Sequence, residues 1–285
     1  MFVGNTGYET PVWVNKSAYE CDLRVTVGKV ELHEFMGFSG GRKSIMPGIC
    51  GEKTILTNHR PEMFLNPNAI AGVLEGNPMH DDAMQAANKL GVDFSVNFVM
   101  RDSTSVAAVF AGGLEACHAA AVEAAKPYCT IDMPIADIIV TTPGSPLNCE
   151  LYQAVKAVFA LKPVIHEHTI VALYAACPDG VNSPDMLYPF TLFQNLDEVE
   201  AYARANFKVQ MDHVLPMIEL LRLGMRLFCY SPNVSASELE SLRIIPTVSP
   251  QAMMNEAIKS SGLSKPRIVF FPEPQRVIIK TGSLH

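Results

Sequence analysis

Residues 77–100 read NPMHDDAMQAANKLGVDFSVNFVM, and this stretch decides the fold. Asn77 is a preferred helix cap, and Pro78 fits a first turn that needs no N–H. Asp81 and Asp82 sit where a helix dipole favours negative charge. The spacing predicts a helix to about Leu90, ended by Gly91. Val92, Phe94, Val96, Phe98 and Met100 then alternate with more polar neighbours, the pattern of a half-buried strand. Working outward, residues 101–104 turn into a second strand at 106–110. Gly112-Gly113 then leads to an alanine-rich helix at 114–125. Upstream, residues 23–30 (LRVTVGKV) read as a strand that runs towards a glycine loop at 37–41. A short helix is expected from Lys43, stopped by Pro47-Gly48.

The same alternation continues in the second half. Residues 126–134 hold two prolines and separate the alanine-rich helix from a new apolar strand at 137–142. There follow a loop (TPGSPLN), a helix at 150–161, a strand at 169–175 and a loop (CPDGVNSPD). A long helix is expected around 209–226, kinked at Pro216, then a strand at 228–230. Ser235 with Glu238 predicts a capping box. A strand at 243–246, a helix at 249–261 and a strand at 267–271 complete the pattern. Strands alternating with helices predict an α/β protein with mainly parallel sheets. It divides into two α/β domains, residues 1–127 and a smaller one at 128–285.

Composition narrows the function. The chain has 285 residues, 48% of them hydrophobic, enough for two cores. Its net charge of −7 argues against a non-specific nucleic-acid surface. The seven cysteines are odd in number and form no C-x-x-C pair, so neither a disulfide framework nor a structural zinc site is expected. The N-terminal MFVGNTGYETPVW lacks the features of a signal peptide. The apolar stretch 105–125 is broken by Glu115, His118 and two glycines, so no membrane span is expected. A reducing cytoplasm is the expected setting.

The chemistry concentrates in residues 33–49, HEFMGFSGGRKSIMPGI. Glycines expose backbone N–H groups that can cradle a phosphate, and a lysine adds positive charge. Against the P-loop pattern G-x-x-x-x-G-K-[ST], Lys43-Ser44 match, but Arg42 stands where the second glycine is required. A phosphate-binding NTPase is therefore a reading carried only by a near miss.

The longer run HEFMGFSGGRKSIMPGICGEKTILTNH resembles the nickel-dependent lactate racemase family. There a histidine precedes a G-[FY]-S-G-G-x-K loop, a P-G-I/V segment follows, and a second histidine comes one helix later. Residues 151–156, LYQAVK, match the family's Y-Q-x-x-K motif, and EGNPMHDDAMQAANKLGVDFSVNFV and VFAGGLEACHAAAVE are also similar. The resemblance implies that residues 1–127 are the C-terminal part of a Rossmann-like cofactor-binding domain, incomplete because the family's N-terminal portion precedes it. It implies a racemase or epimerase of a small 2-hydroxy acid, an isomerase working by transient hydride transfer. The implied cofactor is a nickel-pincer nucleotide, with nickel bound to a pyridinium-3-thioamide-5-thiocarboxylic acid mononucleotide. By the match, Lys43 would attach it, Ser39, Gly40 and Gly41 would line its loop, and His59 would ligate nickel. His33 would be a catalytic acid/base, and Gln153 and Lys156 would orient the substrate. The family's second catalytic histidine and a substrate-binding arginine have no match here. The alternative implied is a non-catalytic or partial-subunit homologue that binds the cofactor or an anionic ligand. The expected partners are the hydroxy acid and either further copies of the chain or a chain supplying the missing portion, with neither nucleic acid nor membrane.

The remaining histidines read more plainly. His80 sits in a helix start and His118 in the alanine-rich helix, both as structural residues. His166-Glu167-His168 reads as an exposed connection. His213 takes no assigned role, and His285 is terminal.

Overall fold

The computed structural model describes residues 1–102 and 104–281, so His285 lies outside the described residues. The chain forms two compact units, 1–130 and 131–285.

Unit one begins with β1 (Phe2–Asn5) antiparallel to β2 (Pro11–Trp13), then α1 (Lys16–Glu20) and β3 (Val25–Val30). A small hairpin, β4 (Leu32–His33) and β5 (Gly37–Phe38), follows. Next come a 3-10 turn at Gly41–Ser44, α2 (Glu52–Asn58) and α3 (Pro61–Phe64). The deciding stretch becomes α4 (Pro78–Leu90) and β6 (Phe94–Met100), joined by hairpin to β7 (Val106–Gly112) and then α5 (Leu114–Ala125). The Asn77 side chain accepts from Met79 N and His80 N, as its capping position requires. Gly91 takes φ +82° at the other end, a left-handed turn that glycine adopts without strain.

β3 is parallel to β6, whereas β6 and β7 are antiparallel. Asp102 explains the hairpin: its Oδ1 accepts from the N–H groups of Thr104 and Ser105. One sheet face carries Thr26, Ser95, Asn97 and Val99, all buried, and Asn97 reaches Cys117 on α5. The opposite face carries Val25, Val27, Phe94 and Val109, all exposed, Val27 to 61%.

Unit two is built on a five-stranded sheet in the order β12-β11-β10-β9-β13, parallel throughout. Its strands are β9 (Ile138–Thr141), β10 (Ile170–Tyr174), β11 (Arg226–Tyr230), β12 (Ile245–Pro246) and β13 (Ile268–Phe270). A two-stranded sheet joins β8 (Thr130–Met133) to β14 (Ile278–Thr281). The helices are α6 (Leu151–Ala154), α7 (Lys156–Phe159), α8 (Pro184–Leu192), α9 (Leu196–Ala205), α10 (Val214–Arg222), α11 (Ala236–Ser241) and α12 (Pro250–Ser261). Ile138, Ile170, Ala172 and Phe228 pack with Met253 and Ala257 of α12. Strands covered on both faces read as continuous apolar runs, as Ile170–Leu173 does. The mainly parallel α/β architecture is therefore as expected.

Several local expectations need correction. The helix at 150–161 is two short turns, with Val155 N bonding four residues back and Val158 N only three back. Leu151, Ala154, Val155, Ala157 and Val158 are all completely buried, so packing shapes this segment more than helix propensity does. The long helix at 209–226 is a 3-10 turn (Val209–His213) followed by α10, which ends at Arg222. Pro216 causes no kink, because it sits in the first turn of α10. Helices α8 and α9 were not anticipated: only the first two residues of α8 fall in the expected loop CPDGVNSPD, and residues 186–208 carried no expectation. Ser183 caps α8 through Met186 N with Pro184 at its first position, so the SP pair opens a helix rather than closing a loop. The capping box at Ser235 and Glu238 is present.

Candidate active site

The glycine loop is built on the end of β3. His33 pairs with Gly37 across the β4–β5 hairpin. Gly37 has φ +73°, and a Cβ there would lie 2.1 Å from the Val73 carbonyl oxygen, so only glycine fits. Ser39 fastens the chain back onto β3: its N–H donates to Glu31 O, its hydroxyl donates to Lys29 O, and it accepts from Glu31 N. Gly40 follows with φ +82°, where a Cβ would meet Asn97 Oδ1 at 2.8 Å. Gly41 has φ +48°, and its N–H donates to the same Asn97 oxygen at 3.0 Å. Lys43 sits in the 3-10 turn, half-buried, with its N–H on Gly40 O. The chain leaves the loop through a four-residue turn rather than a long helix, which removes the geometric basis of the P-loop reading.

Arg42 turns inward and is completely buried. Its guanidinium reaches Met36 O at 2.8 Å and His118 Nε2 at 2.7 Å, with longer bonds to Ser39 O and Gly40 O. A guanidinium only donates, so Nε2 of His118 is the acceptor there. The 2.9 Å approach of Ser39 O to that same nitrogen is then a close contact and not a second hydrogen bond. Burial pushes Arg42 down to about 9. Burial, then the Arg42 charge, hold His118 at about 4 and its ring neighbour His80 at about 3. Both imidazoles are neutral at pH 7.

Each folded pKa lies below the ordinary 6.5, so the unfolded chain binds more protons between about pH 6.5 and 4. Stability is full above pH 6.5 and falls as the solution is acidified through that window. Urea unfolding at steps from pH 7.5 to 4.5 measures it. The slope is expected to flatten in His118→Gln, and an unchanged slope would remove His118 from the account.

His59 closes α2 and is buried. Its Nδ1 lies 3.1 Å from Ile55 O, and since a carbonyl only accepts, Nδ1 carries the proton. The neutral ring therefore has its lone pair on Nε2. Asn58 beside it is anchored in the interior: Nδ2 donates to Asp82 Oδ2 at 2.9 Å. Asp82, completely buried, also accepts from the hydroxyls of Thr6 at 2.5 Å and Thr10 at 2.8 Å. His33 has the opposite tautomer. Its Nδ1 accepts from Phe35 N at 3.3 Å and Met36 N at 3.2 Å, so the neutral ring keeps its proton on Nε2. Glu34 lies 3.9 Å from the same Nδ1, an ion pair only if that nitrogen is protonated. Two backbone donors on it favour the acceptor form.

In unit two, Gln153 and Lys156 are half-buried and fall on successive turns, α6 and α7. Beside them is a buried cluster that the sequence reading missed. Tyr152 donates its hydroxyl to Asp212 at 3.1 Å and stacks on His213 with ring centroids 4.1 Å apart. Tyr152 stood inside the matched motif, but nothing in the sequence pointed to Asp212, sixty positions away. His166 points both ring nitrogens at carbonyl oxygens, of Glu167 and Ala136, which suits a connection and not a metal pair. Among the described residues no three His, Cys, Asp or Glu gather as a metal centre. Nor, among the described residues, is any helix long and apolar enough to cross a membrane.

A family model described as the lactate racemase N-terminal domain matches residues 1–72, and one described as the lactate racemase C-terminal domain matches residues 131–262. A protein named lactate racemase from Thermoanaerobacterium thermosaccharolyticum is 41% identical over 168 residues, which are 59% of this chain and 39% of that protein. Its namesake from Lactiplantibacillus plantarum is 37% identical over 168 residues, 59% of this chain and 40% of that protein. The matched stretch thus spans about two fifths of each relative's length. The solved lactate racemase apoprotein from T. thermosaccharolyticum superposes with a TM-score of 0.89 at 28% identity, covering 98% of this chain and 68% of that one. A Thermotoga maritima protein, at 16% identity and a TM-score of 0.72, shares the fold.

Proposed function

This chain belongs to the lactate racemase family, and from that premise we propose that it racemises or epimerises a small 2-hydroxy acid with a nickel-pincer nucleotide. The observation that carries the reading is the tautomer of His59. A buried imidazole whose Nδ1–H is held by Ile55 O has its lone pair on Nε2, the form in which histidine ligates a metal. Imidazole suits nickel, and a metal already gripped by an organic group needs few protein ligands. The loop that carries Lys43 is tightly seated: a Cβ on Gly40 would strike Asn97 and one on Gly41 would press on His118, so the two glycines let the backbone lie close against the sheet and α5 directly before the lysine.

In this reading Lys43 holds the nucleotide covalently through a thioamide, and His59 completes the nickel coordination. When bound, the cofactor supplies a reversible acceptor for the hydrogen at C2 of the acid. The chain's own residues do the rest. Gln153 and Lys156 grip the substrate oxygens. His33 rests with its proton on Nε2, so to act as the base it first shifts to the tautomer protonated on Nδ1, the nitrogen that lies 3.9 Å from Glu34. Nε2 then takes the hydroxyl proton, and the imidazolium so formed returns it to the C2 oxygen, while a second acid/base would serve the other face. We place the enzyme in the cytoplasm, where its seven unpaired cysteines stay reduced.

One observation favours a second reading, in which the chain is part of an assembled racemase. The outer face of β3–β6–β7 is apolar and bare, and parallel strands are ordinarily covered on both faces. The occupant in this reading is polypeptide equivalent to the part of the solved apoprotein that this chain does not cover.

One experiment tests both. The chain is produced together with the enzymes that assemble the cofactor. Intact mass is expected to show an adduct on Lys43 with nickel in proportion, and an enantiopure 2-hydroxy acid is expected to lose optical rotation. Neither adduct nor nickel would end the proposal. Loading without turnover, restored by the covering polypeptide, is the outcome that selects the second reading.

A further inference from the structure

We infer that Arg42 is a positioning residue, a buried clamp that holds the glycine loop in the shape that presents Lys43. The inference rests on the reading of Lys43 as the attachment residue.

The geometry is internal to unit one. Carbonyls of residues 36, 39 and 40 converge on a single guanidinium, and α5 supplies a fourth contact through His118. These carbonyls flank β5, Met36 before it and Ser39 and Gly40 after it, so one group ties the whole loop. A guanidinium is a rigid planar fork of donors and fixes several acceptors at set angles, which no apolar side chain can do. No carboxylate among the described residues pairs with it, and its charge is removed from water entirely. Filling that volume with a methionine or leucine would cost the fold less than burying a cation. Packing alone therefore does not account for an arginine here.

The need for a clamp follows from the loop's composition. Gly40 and Gly41 both take positive φ, and glycine is the residue least able to hold one backbone conformation unaided. Asn97 ties Gly41 from the sheet, and Arg42, held in turn by His118 of α5, ties the neighbouring carbonyls. Lys43 is the next residue, its N–H already bonded to Gly40 O. A shift of about 1 Å at that backbone would move the amine out of line for attachment, and such shifts cost on the order of 10²-fold in rate.

The test uses the full chain. Arg42→Met keeps length and removes the fork. His118→Gln keeps an acceptor for the guanidinium, and His118→Leu does not. Two quantities are read on folded, size-selected protein: adduct occupancy at Lys43 after production with the cofactor-assembly enzymes, and hydrogen exchange of residues 36–44 in protein made without them. In Arg42→Met, occupancy per folded chain is expected to fall roughly tenfold or more, with loop exchange rising while β6 and α5 stay protected. His118→Gln should track the wild type, and His118→Leu should fall between. If Arg42→Met does not fold, the two His118 variants carry the comparison. Unchanged occupancy and unchanged loop exchange would overturn the clamp. If the wild type itself takes no adduct, the reading of Lys43 fails, and loop exchange alone decides whether the clamp stands.

Discussion

Lys43→Ala is expected to abolish the adduct and the nickel that accompanies it, leaving a folded chain with no racemisation. The expectation of complete loss comes from what the loop lacks. Ser39 spends its hydroxyl and N–H on β3, Gly41 spends its N–H on Asn97, and Arg42 is turned into the interior. Lys43 is therefore the one amine in residues 37–44. The fold should survive because Lys43 is half-buried and the turn is held by backbone bonds, Lys43 N to Gly40 O and Ile45 N to Arg42 O, which alanine can make. Lys43→Arg separates attachment from charge: it keeps the cation, and a guanidinium is a poor nucleophile at neutral pH. Intact mass and nickel content on both variants, with circular dichroism as the folding control, give the answer. A Lys43→Ala protein still carrying adduct would place attachment elsewhere and undo the loop's assignment.

Much of this was legible because it is local. Asn77, Pro78 and Gly91 announce α4 through capping chemistry that acts within a few residues, and the alternation of 92–100 announces β6. The loop was equally legible, since residues 33 to 59 lie within one stretch of chain and their spacing can be read directly. What escaped are partnerships formed by folding. Arg42 meets His118 from 76 positions away, Asp82 meets Thr6 from the same separation, and Tyr152 meets Asp212 from 60. No periodicity encodes such pairs. His118 thus read as an ordinary helix residue, and His213 stayed unassigned until its stack with Tyr152 was in view. The segment at 150–161 failed for a related reason. Its residues suit a helix, but the complete burial of one face lets the surrounding core break it at Val155. Helices α8 and α9 are a different case, because their caps at Ser183 and Asn195 stand in the sequence and act locally, so both helices were open to the same reading as α4.

Asp82→Ala is expected to give the largest loss of stability in unit one, on the order of 3–5 kcal/mol. The carboxylate is completely buried and accepts from three side chains, Thr6, Thr10 and Asn58. Alanine removes every acceptor at once and leaves three donors in a dry interior, the costliest way to break a polar network. Asp82→Asn should cost less, since the amide oxygen still accepts and the threonine hydroxyls can turn. Asn58 carries the effect to His59, its neighbour at the end of α2. If His59 ligates nickel, the asparagine variant should bind metal more weakly even where it folds, by roughly 10–100-fold for an altered supporting residue. Denaturant unfolding measures the first effect, and nickel retention against a competing chelator measures the second. Loss of stability with nickel retention unchanged in Asp82→Asn would mean that the network serves the fold alone, and that the orientation of His59 is set only by its bond to Ile55.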